Sequence, residues 1–213
     1  HTMTTTGQRS LLASSTFLPD DLLEDSRKRI VVAALVIAGI WFLILLLIGI
    51  AGRFFAGSVP NIDAAWPRPG RPFALIGILS GVGLALLARR LGPRSHWLRD
   101  ATALLMIATC LMLAILESRF PITQPGRLSW VNVIILLYPL IVTDSPRRTL
   151  VVSLAAALTV PTSLLLARLG GVALPETAFA LIVLMVPPFL CAAIAVVPAR
   201  LIQGLGQAVK AAK

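Results

Sequence analysis

Apolar residues fall in six blocks, at 30–50, 73–88, 101–116, 128–142, 150–167 and 178–199, and the polar residues gather between them. A helix that crosses a bilayer needs about 20 apolar residues, within a range of about 17 to 25. The first, fifth and sixth blocks reach that length unaided. The other three are 15 or 16 residues long and must borrow from flanks such as Leu91, Leu98 or Thr143, with Arg89 and Arg90 snorkelling to the interface. The pattern predicts an all-α, polytopic bundle of six transmembrane helices over residues 30–199.

The flanks of the bundle have their own patterns. Residues 1–16 are rich in Thr, Ser and Gly and are expected to be disordered, with His1 and Thr2 ahead of Met3 reading as a tag remnant. Phe17 to Arg29 predicts an interfacial amphipathic helix. Pro19 suits its first position, Asp20, Asp21 and Glu24 its positive end, Arg27 to Arg29 its other end, and Leu18, Leu22 and Leu23 the lipid boundary. Residues 200–213 predict an exit helix. Leu201, Leu205, Ala208 and Ala212 share one face, Arg200, Gln203, Gln207 and Lys210 lie elsewhere, and no Gly-then-Pro stop follows. The expectation is a juxtamembrane helix that leads to an effector domain beyond Lys213.

Composition agrees with the blocks. The chain is 57% hydrophobic and 13% charged, with a mean hydropathy of +0.90. Soluble domains are about 45–50% apolar and about 25% charged. The net charge of +10 comes from 19 basic residues placed between blocks, which favours anionic headgroups and no nucleic acid, because no basic stripe is interleaved with aromatics. Thirteen of the 19 fall on the N-terminal side of an alternating topology and six on the other. That asymmetry places both termini in the cytoplasm and the chain in an inner membrane. A re-entrant fourth block would instead put the C-terminus outside. The first block has no cleavage site after it and is not a removable signal. Cys110 and Cys191 lie deep in apolar blocks and read as packed thiols, not as a disulfide.

Within the blocks the chemistry is sparse. Coupled transporters and pumps place charged side chains at membrane depth, whereas Glu117 and Asp144 stand at block ends. Asn132, with Trp130 and Tyr138, is the candidate polar or ligand contact; the plainer use of Asn132 is an interhelical hydrogen bond and that of the two aromatics is belt and packing. Gly77, Gly81 and Gly83 make a small-residue seam, open between internal packing and a homodimer. Pro139, Pro161, Pro187, Pro188 and Pro198 predict bent helices, with Pro187, Pro188 and Pro198 as a candidate hinge; a fixed kink is the plainer use. Gly204-Leu-Gly206 lacks the strand and the Gly-Lys-Ser/Thr of a phosphate loop. His96, beside Trp97, reads as a headgroup contact. No catalytic, cofactor-binding or metal-ligating constellation is present in the sequence, so the chain by itself is not expected to be an enzyme.

The run Leu128 to Leu150, containing Trp130-Val-Asn-Val and Tyr138-Pro139, resembles the N-terminal transmembrane region of bacterial, eukaryotic-like serine/threonine protein kinases. Phe17 to Arg29 is similar to that family's pre-membrane helix, Leu154 to Leu166 with Thr159-Val-Pro161 to the following span, and Arg200 to Lys213 to its juxtamembrane helix. The resemblance implies a domain that anchors a cytoplasmic kinase in the membrane, with a sensory or regulatory role as the further expectation. ATP and Mg would then belong only to that kinase, since none of its catalytic motifs is in these residues. Membrane lipids, a C-terminal kinase domain and a second copy of the chain are the expected partners. Two alternatives stay open: a small-molecule transporter or channel, and the membrane anchor of a nucleotide cyclase.

Overall fold

The computed structural model describes residues 20–54, 70–90, 96–118, 129–142, 145–171 and 178–211. Segment 1–16, residues 17–19 of the expected interfacial helix, Asp144 and Ala212 lie outside them. Every element in the described residues is a helix: α1 (Asp20–Phe54), α2 (Gly70–Arg90), α3 (His96–Ser118), α4 (Trp130–Ile141), α5 (Pro146–Ala157), α6 (Thr159–Leu169), α7 (Ala178–Ile194) and α8 (Val196–Ala211). Five stretches are long and apolar enough to cross a membrane, at Arg27–Leu47, Arg71–Arg90, Trp97–Ser118, Pro146–Leu169 and Leu181–Ile202, and α4 is a shorter apolar helix. The chain is a helical, multi-pass membrane protein.

Helix ends depart from the sequence expectation in two informative ways. The N-terminal segment joins the first span without a break from Asp20, because Arg27, Lys28 and Arg29 are helix formers with neither Gly nor Pro among them. At 35 residues α1 is roughly 52 Å long at 1.5 Å per residue, well beyond a 30 Å hydrocarbon core. The fourth block yields only 12 helical residues. Ser129 (φ −74°, ψ 127°) and Val142 (φ −102°, ψ 106°) are extended on either side of it.

The fifth and sixth blocks are each broken once, and both breaks have the same cause. Helix regularity fails at Leu158, three residues before Pro161, and at Ala195, three residues before Pro198. A proline ring collides with the carbonyl four residues back and offers it no N–H. The carbonyls so affected are those of Ala157 and Ile194, each next to its break. Hydroxyls bond to the carbonyls around the first break: Thr159 donates to that of Ala156 at 2.6 Å, Thr162 to that of Leu158 at 2.8 Å and Ser163 to that of Val160 at 2.8 Å. Pro187 and Pro188 lie inside continuous α7, so the interruption falls at Pro198 and not at the proline pair. Helix α6 ends at Leu169, and two residues on Gly171 has a φ of +76°, a left-handed stop that glycine adopts without strain.

Helix α3 is the centre of the bundle and packs against α1, α2, α4, α5 and α6. Its buried face runs through Thr102, Met106, Thr109, Cys110, Leu113 and Ala114. Small residues on α5 and α6, including Ser153, Ala156, Ala157, Thr159 and Ser163, are also buried, which suits close helix packing without a hydrophobic driving force from lipid. Helices α7 and α8 lie against α4 and α5 and leave Phe179, Ile182, Val186, Leu190 and Ile194 exposed to the bilayer.

Candidate functional site

Chemistry in the described residues collects at the two ends of α3. At the C-terminal end, Glu117 reaches across to the start of α4. Its Oε1 accepts the Trp130 backbone N–H at 2.8 Å, and its Oε2 accepts the Ser129 hydroxyl at 2.8 Å. Ser129 is the residue before the helix, yet its side chain caps no amide of α4. Glu117 does that work from another helix, and its charge meets the positive end of the α4 dipole.

At the N-terminal end, the Arg148 Nη2 donates to Asp100 Oδ1 at 2.6 Å, tying α5 to α3. The Ser145 hydroxyl accepts the Arg148 backbone N–H at 3.4 Å and Pro146 occupies the first helical position, which caps α5. Asp100 is 68% exposed, so this pair is well solvated. Asp100→Asn is therefore expected to change stability by less than about 1 kcal/mol, measured by thermal unfolding in mild detergent.

Between these ends α1, α3 and α4 enclose a cleft of about 30 Å³. Its wall is Ala33, Val36, Ile37 and Ile40 from α1, Thr102 and Met106 from α3, and Ile134, Leu137, Tyr138, Ile141 and Val142 from α4. The Thr102 hydroxyl donates to the Leu98 carbonyl at 2.7 Å, which leaves an almost wholly apolar lining.

The sequence candidates separate in space. Trp130 is 45% exposed at the start of α4, as a belt residue would be, whereas Tyr138 is buried two turns away in the cleft wall. They do not form one binding box. Asn132 lies near the Glu117 cap with its Oδ1 buried and without a hydrogen-bond partner, so the expected interhelical bond is not made by that atom. Thr109, Thr149 and Ser153 also bury hydroxyls without partners. Cys110 is buried, Cys191 is half-buried, and both are free thiols.

The glycine seam divides. Gly77 and Gly81 face α1, where a Cβ on Gly77 would strike the ring of Trp41, and a Cβ on Gly81 would stand 2.7 Å from the Ala34 carbonyl oxygen and 2.9 Å from the Ala38 Cβ. The pairing of Gly77 with Trp41 and Gly81 with Ala34 and Ala38 makes α1 and α2 antiparallel. These two glycines serve packing within the chain and are not open to a second copy. Gly83 has nothing within 4 Å of an added Cβ. On the exit helix the backbone is helical to Ala211 and Leu201 is 64% exposed; the side chains of Leu205 and Ala208, and all of Ala212, lie outside the described residues.

Sequence patterns announced Glu117 as a residue at a block end but not as a cap, because its partners lie 12 and 13 positions away. Asp100 with Arg148, 48 positions apart, carried no local signal at all. Comparisons with protein-family models, with curated proteins and with solved structures find no match to this chain.

Proposed function

We propose that this chain crosses a bacterial inner membrane six times, with both termini in the cytoplasm, and anchors a serine/threonine protein kinase through α8. The sixth crossing is the segment that contains α4. It starts at Trp130, bonded to Glu117 at one end of α3, and by Arg148 it has reached Asp100 at the other end. Those residues cover the length of a span even though only 12 of them form α4. Arg27, Lys28, Arg29, Arg89, Arg90, Arg99, Arg147, Arg148 and Arg200 then share one end, against Arg71 and Arg168 at the other, which supports a cytoplasmic location for the first group.

The observation that carries the anchoring reading is α8. The apolar window closes at Ile202, but the helix continues to Ala211, roughly 13 Å farther at 1.5 Å per residue. A helix that leaves the bundle without a break holds whatever follows it at a set distance and angle. The kinase itself is supported by the resemblance of Leu128–Leu150 and Arg200–Lys213, and a coupling role would further require that an outer stimulus bind two packings of the bundle with different affinity.

Capture of the native protein from membranes through this chain, followed by incubation with labelled ATP, tests the reading. Phosphotransfer to serine or threonine is expected from the same polypeptide. A native polypeptide without that activity overturns the kinase assignment, and cyclic-nucleotide formation in the same preparation would replace it with a cyclase anchor.

A further inference from the structure

We propose that the last span, α7 with α8, has two resting positions against α5 and that the Ser153 hydroxyl selects between them, lacking a partner in the position seen in the structure and donating to the Ile194 carbonyl in the other. This supplies the two packings that a coupling role requires, but it rests on the broken span and not on the kinase reading.

The two helix breaks differ in what surrounds them. Around Leu158 the chain carries its own hydroxyls, and Thr159, Thr162 and Ser163 each bond a carbonyl within about one turn. Residues 178–202 contain neither serine nor threonine. Because Pro198 has no N–H, the Ile194 carbonyl loses its helical donor, and the chain on either side offers no hydroxyl in exchange.

Donors without partners stand on a neighbouring helix. Thr149 and Ser153 of α5 are fully buried, and neither hydroxyl has a hydrogen-bond partner. Helix α5 packs against both halves of the broken span. Ser153 lies about 140° around α5 from Arg148, which binds Asp100 of α3, so it faces away from that contact. Depth agrees: consecutive spans run in opposite directions, and Ser153 and Ala195 each lie about two turns inside the span ends at Pro146 and Ile202. Thr149 is one turn nearer that end.

Little else fixes the last span in place. Between Leu181 and Ile202 only Pro188, Ala192, Ala195 and Ala199 are buried. A stripe of alanines approaches its neighbour closely but interlocks with nothing, so a small slide or rotation sacrifices little contact. The buried hydroxyl without a partner disfavours the position in the structure, and a bond to the carbonyl that proline has freed favours the other. Helix α8 continues unbroken to Ala211, so each position aims its end in a different direction.

Distances between spin labels at R90C and L201C, both exposed positions, measured on the full chain in nanodiscs with C191A and the buried Cys110 left in place, provide the test. Two distance populations are expected, one at the separation in the structure. Ser153→Ala is expected to shift their ratio about 10-fold toward that one, since it removes the unpartnered hydroxyl from one position and the bond from the other. Pro198→Ala gives the Ile194 carbonyl an N–H of its own and is expected to leave one population, which Ser153→Ala then does not change. Thr149→Ala is expected to leave the ratio as it is. A single population without these last substitutions overturns the two positions, and it does so even where a variant fails to fold. A ratio unmoved by Ser153→Ala, or moved as far by Thr149→Ala, overturns the role of Ser153. Two populations in Pro198→Ala that Ser153→Ala still shifts overturn the Ile194 carbonyl as its partner. A parent polypeptide without phosphotransfer activity changes none of these outcomes.

Discussion

Gly81→Val is expected to lower the stability of the bundle by about 3 kcal/mol, and Gly77→Val by a similar amount, whereas Gly83→Val should change it by less than about 0.5 kcal/mol. At Gly81 the obstacle is the backbone of α1: a Cβ would sit 2.7 Å from the Ala34 carbonyl oxygen, and no rotamer change removes a carbonyl. Helix α1 would have to move outward along its whole contact with α2. At Gly77 the obstacle is the Trp41 ring, which is fully buried. Gly83 meets nothing, so valine there gains a little helix propensity and loses no packing. Thermal unfolding in mild detergent resolves the difference, since 3 kcal/mol corresponds to roughly 6–12 °C for a chain of this size. Equal shifts at all three positions would remove the α1–α2 seam from the account.

What was legible in the sequence is what depends on local pattern. Apolar blocks announced the helices, and Pro161 and Pro198 announced that their helices bend, because both signals act within one or two turns. The small residues Gly77 and Gly81 announced a close approach, but only the position of Trp41 and Ala34 says that the partner is α1. Block length misjudged α4, where Pro139 and the extended Val142 leave a helix of 12 residues in a block of 15. Polar contacts were the least legible. Glu117 bonds to residues 12 and 13 positions away, Arg148 reaches a residue 48 positions away, and the cleft needs three helices at once before its wall exists. None of these leaves a periodic trace in the chain.

Glu117→Ala is expected to cost about 2–4 kcal/mol and to loosen the start of α4 before the rest of the bundle. Two hydrogen bonds to an ionised acceptor are lost together, one from the Trp130 amide and one from the Ser129 hydroxyl, and the helix keeps no other side-chain cap at that end. Glu117→Gln is expected to cost less, because its amide oxygen still accepts one of the two bonds, although the charge facing the helix dipole is gone. Ser129→Ala should cost least, since the Trp130 amide keeps its acceptor. The order Ala at 117, then Gln at 117, then Ala at 129 is checked by thermal unfolding, and its location by amide hydrogen exchange over residues 129–134. An unchanged exchange rate at the start of α4 in Glu117→Ala would mean that the helix is held by packing against α3 alone. The carboxylate would then be a bystander at the end of its own span.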